Sequence, residues 1–144
     1  ESSAAAVELA RENARLNSAG AESTLEWVRG DAFAYLEEPG SYGMVIVDPP
    51  PFARRRGEVE GAVRGYGALN RMAAERLAPG GLMMSFTCSS AVGGELMGEV
   101  LRDAVGQAGR RAQVLQRLQA APDHPVLLNH PEGEYLKGWL LRVL

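Results

Sequence analysis

Met44-Val45-Ile46-Val47-Asp48-Pro49-Pro50-Pro51-Phe52 is the stretch from which the fold is read. Four consecutive apolar, β-prone residues predict a parallel strand buried on both faces, because a strand with one wet face would alternate polar and apolar residues. The strand has to end at Asp48: three prolines bring no backbone N–H to a ladder, and each fixes its own φ. Working outward, residues 53 to 60 are polar and arginine-rich and read as a loop. From Ala62 to Leu77, Tyr66, Leu69, Met72, Ala73, Arg76 and Leu77 recur at helical spacing, with Pro79-Gly80-Gly81 closing the helix. Leu82 to Thr87 is the next buried strand and delivers Cys88 at its C-terminal end. Two strands joined by one helix are commonly neighbours, and ligands in such sheets bind outside the carboxyl ends of the strands. Asp48 and Cys88 are therefore expected to face one crevice.

The flanks repeat the alternation. Ser2-Ser3 offers an N-cap to a helix over residues 3 to 17, stopped by Asn17 to Gly20. Leu25 to Val28 is short and β-prone, and Asp31 can cap a brief helix through Leu36. Downstream, a helix over Glu95 to Ala108 precedes a strand over Ala112 to Leu118. Ala121 to Glu134 is a proline-punctuated loop, and Tyr135 to Val143 a last strand. Strands alternating with helices, without an internal repeat, predict one α/β domain with a mostly parallel sheet.

Composition sets the outer bounds. At 144 residues and 46 % apolar content the chain has enough material for one core. With neither a long apolar run nor a signal-like start, it reads as soluble and cytoplasmic. One cysteine and two histidines provide neither a disulfide framework nor a metal-ligand spacing, so no metal is expected. A net charge of −3 is unlike a nucleic-acid-binding surface, which is normally basic. Fourteen of the fifteen basic residues are arginine, so an individual arginine carries little information.

Several residues carry chemistry in this pattern. In the Asp48-Pro49-Pro50-Pro51-Phe52 loop, rigid carbonyl acceptors stand beside a carboxylate, with an aromatic ring close by. Such a surface accepts hydrogen bonds from an exocyclic amine, and Phe52 can stack on a base, a contact worth roughly 1–3 kcal/mol. The same residues also make an ordinary turn ending a strand. In Ser85-Phe86-Thr87-Cys88-Ser89-Ser90, hydroxyls and a following helix could stabilise a thiolate, or Cys88 could simply pack. Glu1-Ser2 and Asp31-Ala32 stand just past strand positions, where acidic residues meet a nucleotide's ribose and adenine; both also serve as helix caps. Arg54-Arg55-Arg56 could touch phosphates or form a solvated charge run. His124 lies in a loop, and Lys137 shares a strand face with Tyr135 by period two.

Together these stretches resemble the ribosomal RNA large-subunit methyltransferase I type, bacterial enzymes that methylate cytosine C5 in large-subunit ribosomal RNA. The resemblance runs through the acidic-Ser opening, the Ala-Arg-Glu-Asn helix, Gly30-Asp31, Val47-Asp48-Pro49-Pro50 with Phe52, Arg64-Gly65-Tyr66, Gly80-Gly81, Cys88-Ser89, Asp123-His124-Pro125 and Glu134-Tyr135-Leu136-Lys137-Gly138. It implies a Rossmann-like class I methyltransferase sheet, mostly parallel with a final antiparallel strand, and S-adenosyl-L-methionine as methyl donor. Cys88 would be the nucleophile and Asp48, beside the cofactor, would hold the cytosine edge with Pro49, Pro50 and Phe52. Glu1, Ser2, Asp31 and Ala32 would hold the cofactor, and Arg54, Arg55, Arg64, Tyr66, His124 and Lys137 would contact ribosomal RNA. No membrane or metal partner is implied, and a homodimer is compatible with the resemblance.

Pro51 stands where the family usually has lysine, and Gly43 where an aspartate often precedes the strand. The resemblance also implies that the first strand, its glycine-rich loop and an RNA-binding domain of the PUA type lie outside these residues. The chain by itself is then expected to bind cofactor weakly and to be inactive. Two other readings stay open: methylation of a base nitrogen, which needs no thiol, and a non-catalytic RNA-binding domain.

Overall fold

The computed structural model describes residues 1–17 and 25–144, in two compact units, 1–38 and 39–144. In the first unit, α1 (Ala4–Leu16) starts where Ser3 Oγ accepts from the Ala6 N–H at 3.2 Å, and it ends at the C-cap Asn17. The rest of its expected stop signal, residues 18 to 20, lies outside the described residues. Near its end Arg15 grips Glu12 through two hydrogen bonds of 2.7 and 2.9 Å, holding that carboxyl below its ordinary pKa. α2 (Ala32–Glu37) is capped by Asp31. Leu25 to Val28, expected as a strand, is extended but unladdered. Among the described residues its backbone meets Glu1, whose ammonium reaches Val28 O at 3.4 Å and whose carbonyl accepts from the nearby Gly30 N–H at 3.0 Å. β-propensity alone does not make a strand without a partner along its length.

The second unit is a four-stranded sheet with order β1-β2-β4-β3. β1 (Tyr42–Val47) and β2 (Leu77–Thr87) are parallel neighbours joined by α3 (Val59–Glu75). α4 (Gly94–Gln107) leads to β3 (Ala112–Gln119), and β4 (Lys137–Val143) inserts between β2 and β3, antiparallel to both. Three strands thus point one way and the last returns. α3 and α4 pack on each other, α3 against β1 and β2 and α4 against β4. Ala62, Tyr66, Leu69 and Ala73 of α3 and Met97, Leu101 and Ala104 of α4 present buried faces at helical spacing, toward Met83, Trp139, Leu141 and Val143 of the sheet. No helix among the described residues is long and apolar enough to cross a membrane.

Two expectations are corrected. Within these residues β1 is not buried on both faces: Met44 is 41 % and Ile46 61 % exposed, because no helix of residues 39–144 covers that face. Pro79-Gly80-Gly81 does not follow the helix as a turn. The helix has ended at Arg76, and the triplet lies inside β2, opposite the register shift between Tyr42 and Met44. Gly80 at φ +79° takes the left-handed backbone that this irregularity demands. The helical start also comes earlier than expected, since residues 56–58 form a 3₁₀ turn that runs into α3.

Candidate active site

Val47 pairs with Ser85 in the parallel β1–β2 ladder, so the chain leaves both strands at the same edge of the sheet. Asp48 and Cys88 are the first residues past those strands; Asp48 is exposed and Cys88 half-buried. Both residues thus follow neighbouring parallel strands, as strand order predicts. The hydroxyls of Thr87 and Ser89, on either side of Cys88, are engaged with Tyr66. Period two along β2 turns Ser85 and Thr87 toward the helix-covered side, and Ser89 is buried with them, all three at 0 % exposure. Thr87 Oγ1 donates to Tyr66 Oη at 2.9 Å, Ser89 Oγ lies 3.0 Å from Tyr66 Oη, and Ser89 N–H donates to Thr87 Oγ1 at 3.2 Å. Nor does a helix start beside the thiol, since α4 begins only at Gly94.

The proline loop is tied to the same network. Ala53 N–H donates to Ser89 Oγ at 3.2 Å across 36 residues of sequence. Phe52 lies with its ring centroid 4.6 Å from that of Tyr66, tilted by 44°. A Cβ on Gly65 would sit 3.0 Å from Phe52 Cδ2, so glycine is what lets Phe52 approach α3 this closely. Phe52 is half-buried, as are Pro49 and Pro51, while Pro50 is exposed.

The residues expected to meet RNA divide into three groups. Tyr66 is removed from the surface: it is 0 % exposed with its hydroxyl engaged by Thr87 and Ser89, so it faces the interior of the site and not a polyanion. Lys137 is drawn in, its ammonium donating to Ser89 O at 3.3 Å, and it borders a groove of about 190 Å³ that also touches Arg117, Glu134 and Trp139. Arg117 stacks over Trp139 at 4.6 Å. The remaining residues are exposed. Glu58 accepts from the backbone N–H groups of Arg54 and Arg55, leaving the side chains of residues 54–56 outward. Arg64 pairs with Glu60 at 2.6 Å, and His124 stands 3.8 Å from Asp123. The loop and strand signals picked out Lys137; nothing in the sequence singled out Arg117 or the inward turn of Thr87 and Ser89.

In the first unit, Glu1 Oε1 accepts from Ser3 N–H at 2.7 Å, and Asp31 Oδ1 accepts from Phe33 and Ala34 N–H at 2.9 and 3.1 Å. Each carboxylate uses one oxygen as a local cap, and both residues are exposed. The backbone bond between Gly30 and Glu1 brings these two segments side by side. Ser2 and Ala32 are exposed next to them, and Ser2 O accepts from Arg29 Nε at 3.3 Å. Acidic acceptors paired in this way suit the ribose hydroxyls and adenine amine of a nucleoside. Among the described residues no group of three or more His, Cys, Asp or Glu could hold a metal ion.

No family model matches the chain. Among curated proteins it is 38 % identical over 148 residues to ribosomal RNA large subunit methyltransferase I of Serratia proteamaculans, covering 100 % of this chain and 37 % of that protein. The protein of the same name from Salmonella arizonae is 38 % identical over 143 residues, covering 96 % and 35 %. The chain thus spans little more than a third of the curated relatives it matches. Among solved structures, a protein assigned as a methyltransferase and complexed with SAH superposes with TM-score 0.80 at 22 % identity, over 99 % of this chain and 37 % of that one. A Streptococcus mutans protein assigned as a SAM-dependent methyltransferase gives 0.79 at 21 %, with the same coverage. NSun6 from Pyrococcus horikoshii, solved with SFG, gives 0.65 at 16 %, over 99 % and 39 %. These likenesses show the methyltransferase fold, and the sequence identity names the group: along its whole length this chain is a relative of the ribosomal RNA large subunit methyltransferase I proteins.

Proposed function

We propose that this chain carries the base-side chemistry of an S-adenosyl-L-methionine-dependent methyltransferase that modifies C5 of a cytosine in large-subunit ribosomal RNA. The observation that carries the reading is the exit of Asp48 and Cys88 from neighbouring parallel strands at one edge of the sheet. The relatives' name supports ribosomal RNA as substrate. The exposed carboxylates of Glu1 and Asp31, with Ser2 and Ala32, fit the nucleoside end of the cofactor. When bound, S-adenosyl-L-methionine supplies an electrophilic methyl group, transferred to C5 as S-adenosylhomocysteine leaves.

Cytosine C5 is too poor a nucleophile to take that methyl unaided. Addition of the Cys88 thiolate to C6 forms an S–C6 bond and shifts the ring's π electrons toward C5 and N3, making C5 enamine-like. Asp48, accepting from the exocyclic amine and, as the carboxylic acid, giving its proton to N3 as the thiolate adds, stabilises the adduct, with the carbonyls of Pro49 and Pro50 as further acceptors and Phe52 beside the ring. Loss of the C5 proton to a base then restores the aromatic electrons, the S–C6 bond breaks, and the thiolate returns. The exposed arginines at 54 and 55, with Arg64, His124 and Lys137, form the contact surface for the RNA backbone.

Methyl transfer from labelled S-adenosyl-L-methionine to large-subunit ribosomal RNA, measured with the intact protein, is expected to fall to background in Cys88→Ala. Unchanged turnover would overturn the assignment. Mass spectrometry of the digested RNA distinguishes C5 methylation from methylation of a base nitrogen, which does not require the thiol.

A further inference from the structure

We propose that Tyr66 is a positioning residue, whose buried hydroxyl sets the Cys88 turn in register with the Asp48 loop. The inference rests on Cys88 being the nucleophile and adds a residue that never touches the base. Tyr66 Oη accepts from Thr87 Oγ1 and shares a hydrogen bond with Ser89 Oγ, which also accepts from Ala53 N–H. One hydroxyl therefore holds residues 87 and 89, on either side of Cys88, and through Ser89 it holds the residue that follows Phe52. The Tyr66 ring is the surface on which Phe52 rests. Tyr66, Thr87 and Ser89 are all 0 % exposed and Ala53 is 1 %, so these bonds have no water competing for them. The thiol itself stays half-buried between two pinned neighbours.

Tyr66→Phe keeps the ring and removes only the shared hydroxyl. Small misplacement of a reacting group costs up to about a hundredfold in rate. In the intact protein, Tyr66→Phe is expected to lower kcat roughly ten- to a hundredfold while KM for RNA and for S-adenosyl-L-methionine stays within about twofold. A role confined to folding would lower the fraction of active protein and leave kcat per folded molecule unchanged, so kcat is normalised to the folded fraction from circular dichroism. Should Tyr66→Phe fail to fold, Thr87→Val and Thr87→Ser give the same information, the first losing and the second keeping the hydroxyl. A fall in Thr87→Val that Thr87→Ser rescues supports the proposal. If Cys88→Ala is inactive and Tyr66→Phe, or Thr87→Val in its place, turns over at the wild-type rate, the positioning role is wrong and the nucleophile stands. If Cys88→Ala is active, both fall.

Discussion

At the scale of single residues, the buried polar groups separate what holds the chain together from what reacts. Ser89 Oγ accepts from Ala53 N–H and takes the Tyr66 hydroxyl, both inside the protein. Ser89→Ala strands the Ala53 N–H and removes a partner of the Tyr66 hydroxyl, and an unsatisfied buried donor costs about 1–3 kcal/mol. Urea denaturation is expected to show a midpoint lowered in proportion to that loss, with an unchanged slope; an unshifted midpoint would mean that the stranded groups find other partners. Arg110 is a second such centre. Its guanidinium donates to Leu144 O at 2.9 Å, Leu77 O at 3.0 Å, Ala74 O at 3.3 Å and Ala78 O at 3.5 Å, joining the end of α3, the start of β2 and the last residue. Lysine has no planar fork to reach several carbonyls at once, so Arg110→Lys is expected to lower stability by about 1–3 kcal/mol in the same assay. The placement of Asp48 and Cys88 just past strand ends was legible in sequence because each follows a recognisable apolar run. Arg110 was not, since it is one arginine among fourteen and its role depends on where four distant carbonyls converge.

At the scale of elements, the strands and helices of residues 39–144 follow the apolar pattern closely, and the departures arise where pairing overrides it. Four apolar residues in a row predicted a β1 buried on both faces; among these residues Ile46 stays exposed, because what covers a strand's face is set by the elements packed on it and not by the strand's own sequence. The proline and two glycines at 79–81 look like a helix stop, yet the ladder admits them by shifting register. Gly138 shows the same dependence on a partner. It faces Phe86 across the β2–β4 ladder, and a Cβ there would stand 2.5 Å from Phe86 Cδ1 and 3.1 Å from Leu118 Cβ. Gly138→Ala must therefore push the ring aside, at a cost of about 1–3 kcal/mol for overpacking. In a Phe86→Ala background the same substitution should cost measurably less by thermal or urea unfolding; equal costs in the two backgrounds would show that the collision with Phe86 is not the cause.

At the scale of the whole molecule, the two halves of the proposed chemistry belong to different compact units: Glu1 and Asp31 to residues 1–38, Asp48 and Cys88 to residues 39–144. Cofactor affinity and thiol chemistry are then separable by substitution. Asp31 caps α2 through Oδ1, so alanine would disturb the helix as well as the carboxylate. Serine keeps an acceptor for the cap and removes the second oxygen and its charge. A hydrogen bond to a charged group contributes about 1.5–3 kcal/mol. Calorimetry on the intact protein should therefore show Asp31→Ser binding S-adenosyl-L-methionine at least about tenfold more weakly, since 1.4 kcal/mol corresponds to tenfold. Cys88 is the sole cysteine of these 144 residues, so alkylation of this chain by iodoacetamide reports on it alone, and the rate should be the same in Asp31→Ser as in the unsubstituted chain. Cys88→Ala, in turn, should leave the cofactor affinity within about twofold, a change of less than 1 kcal/mol. Wild-type affinity in Asp31→Ser would reduce Asp31 to a helix cap, and a changed alkylation rate would show that the units are coupled through the site.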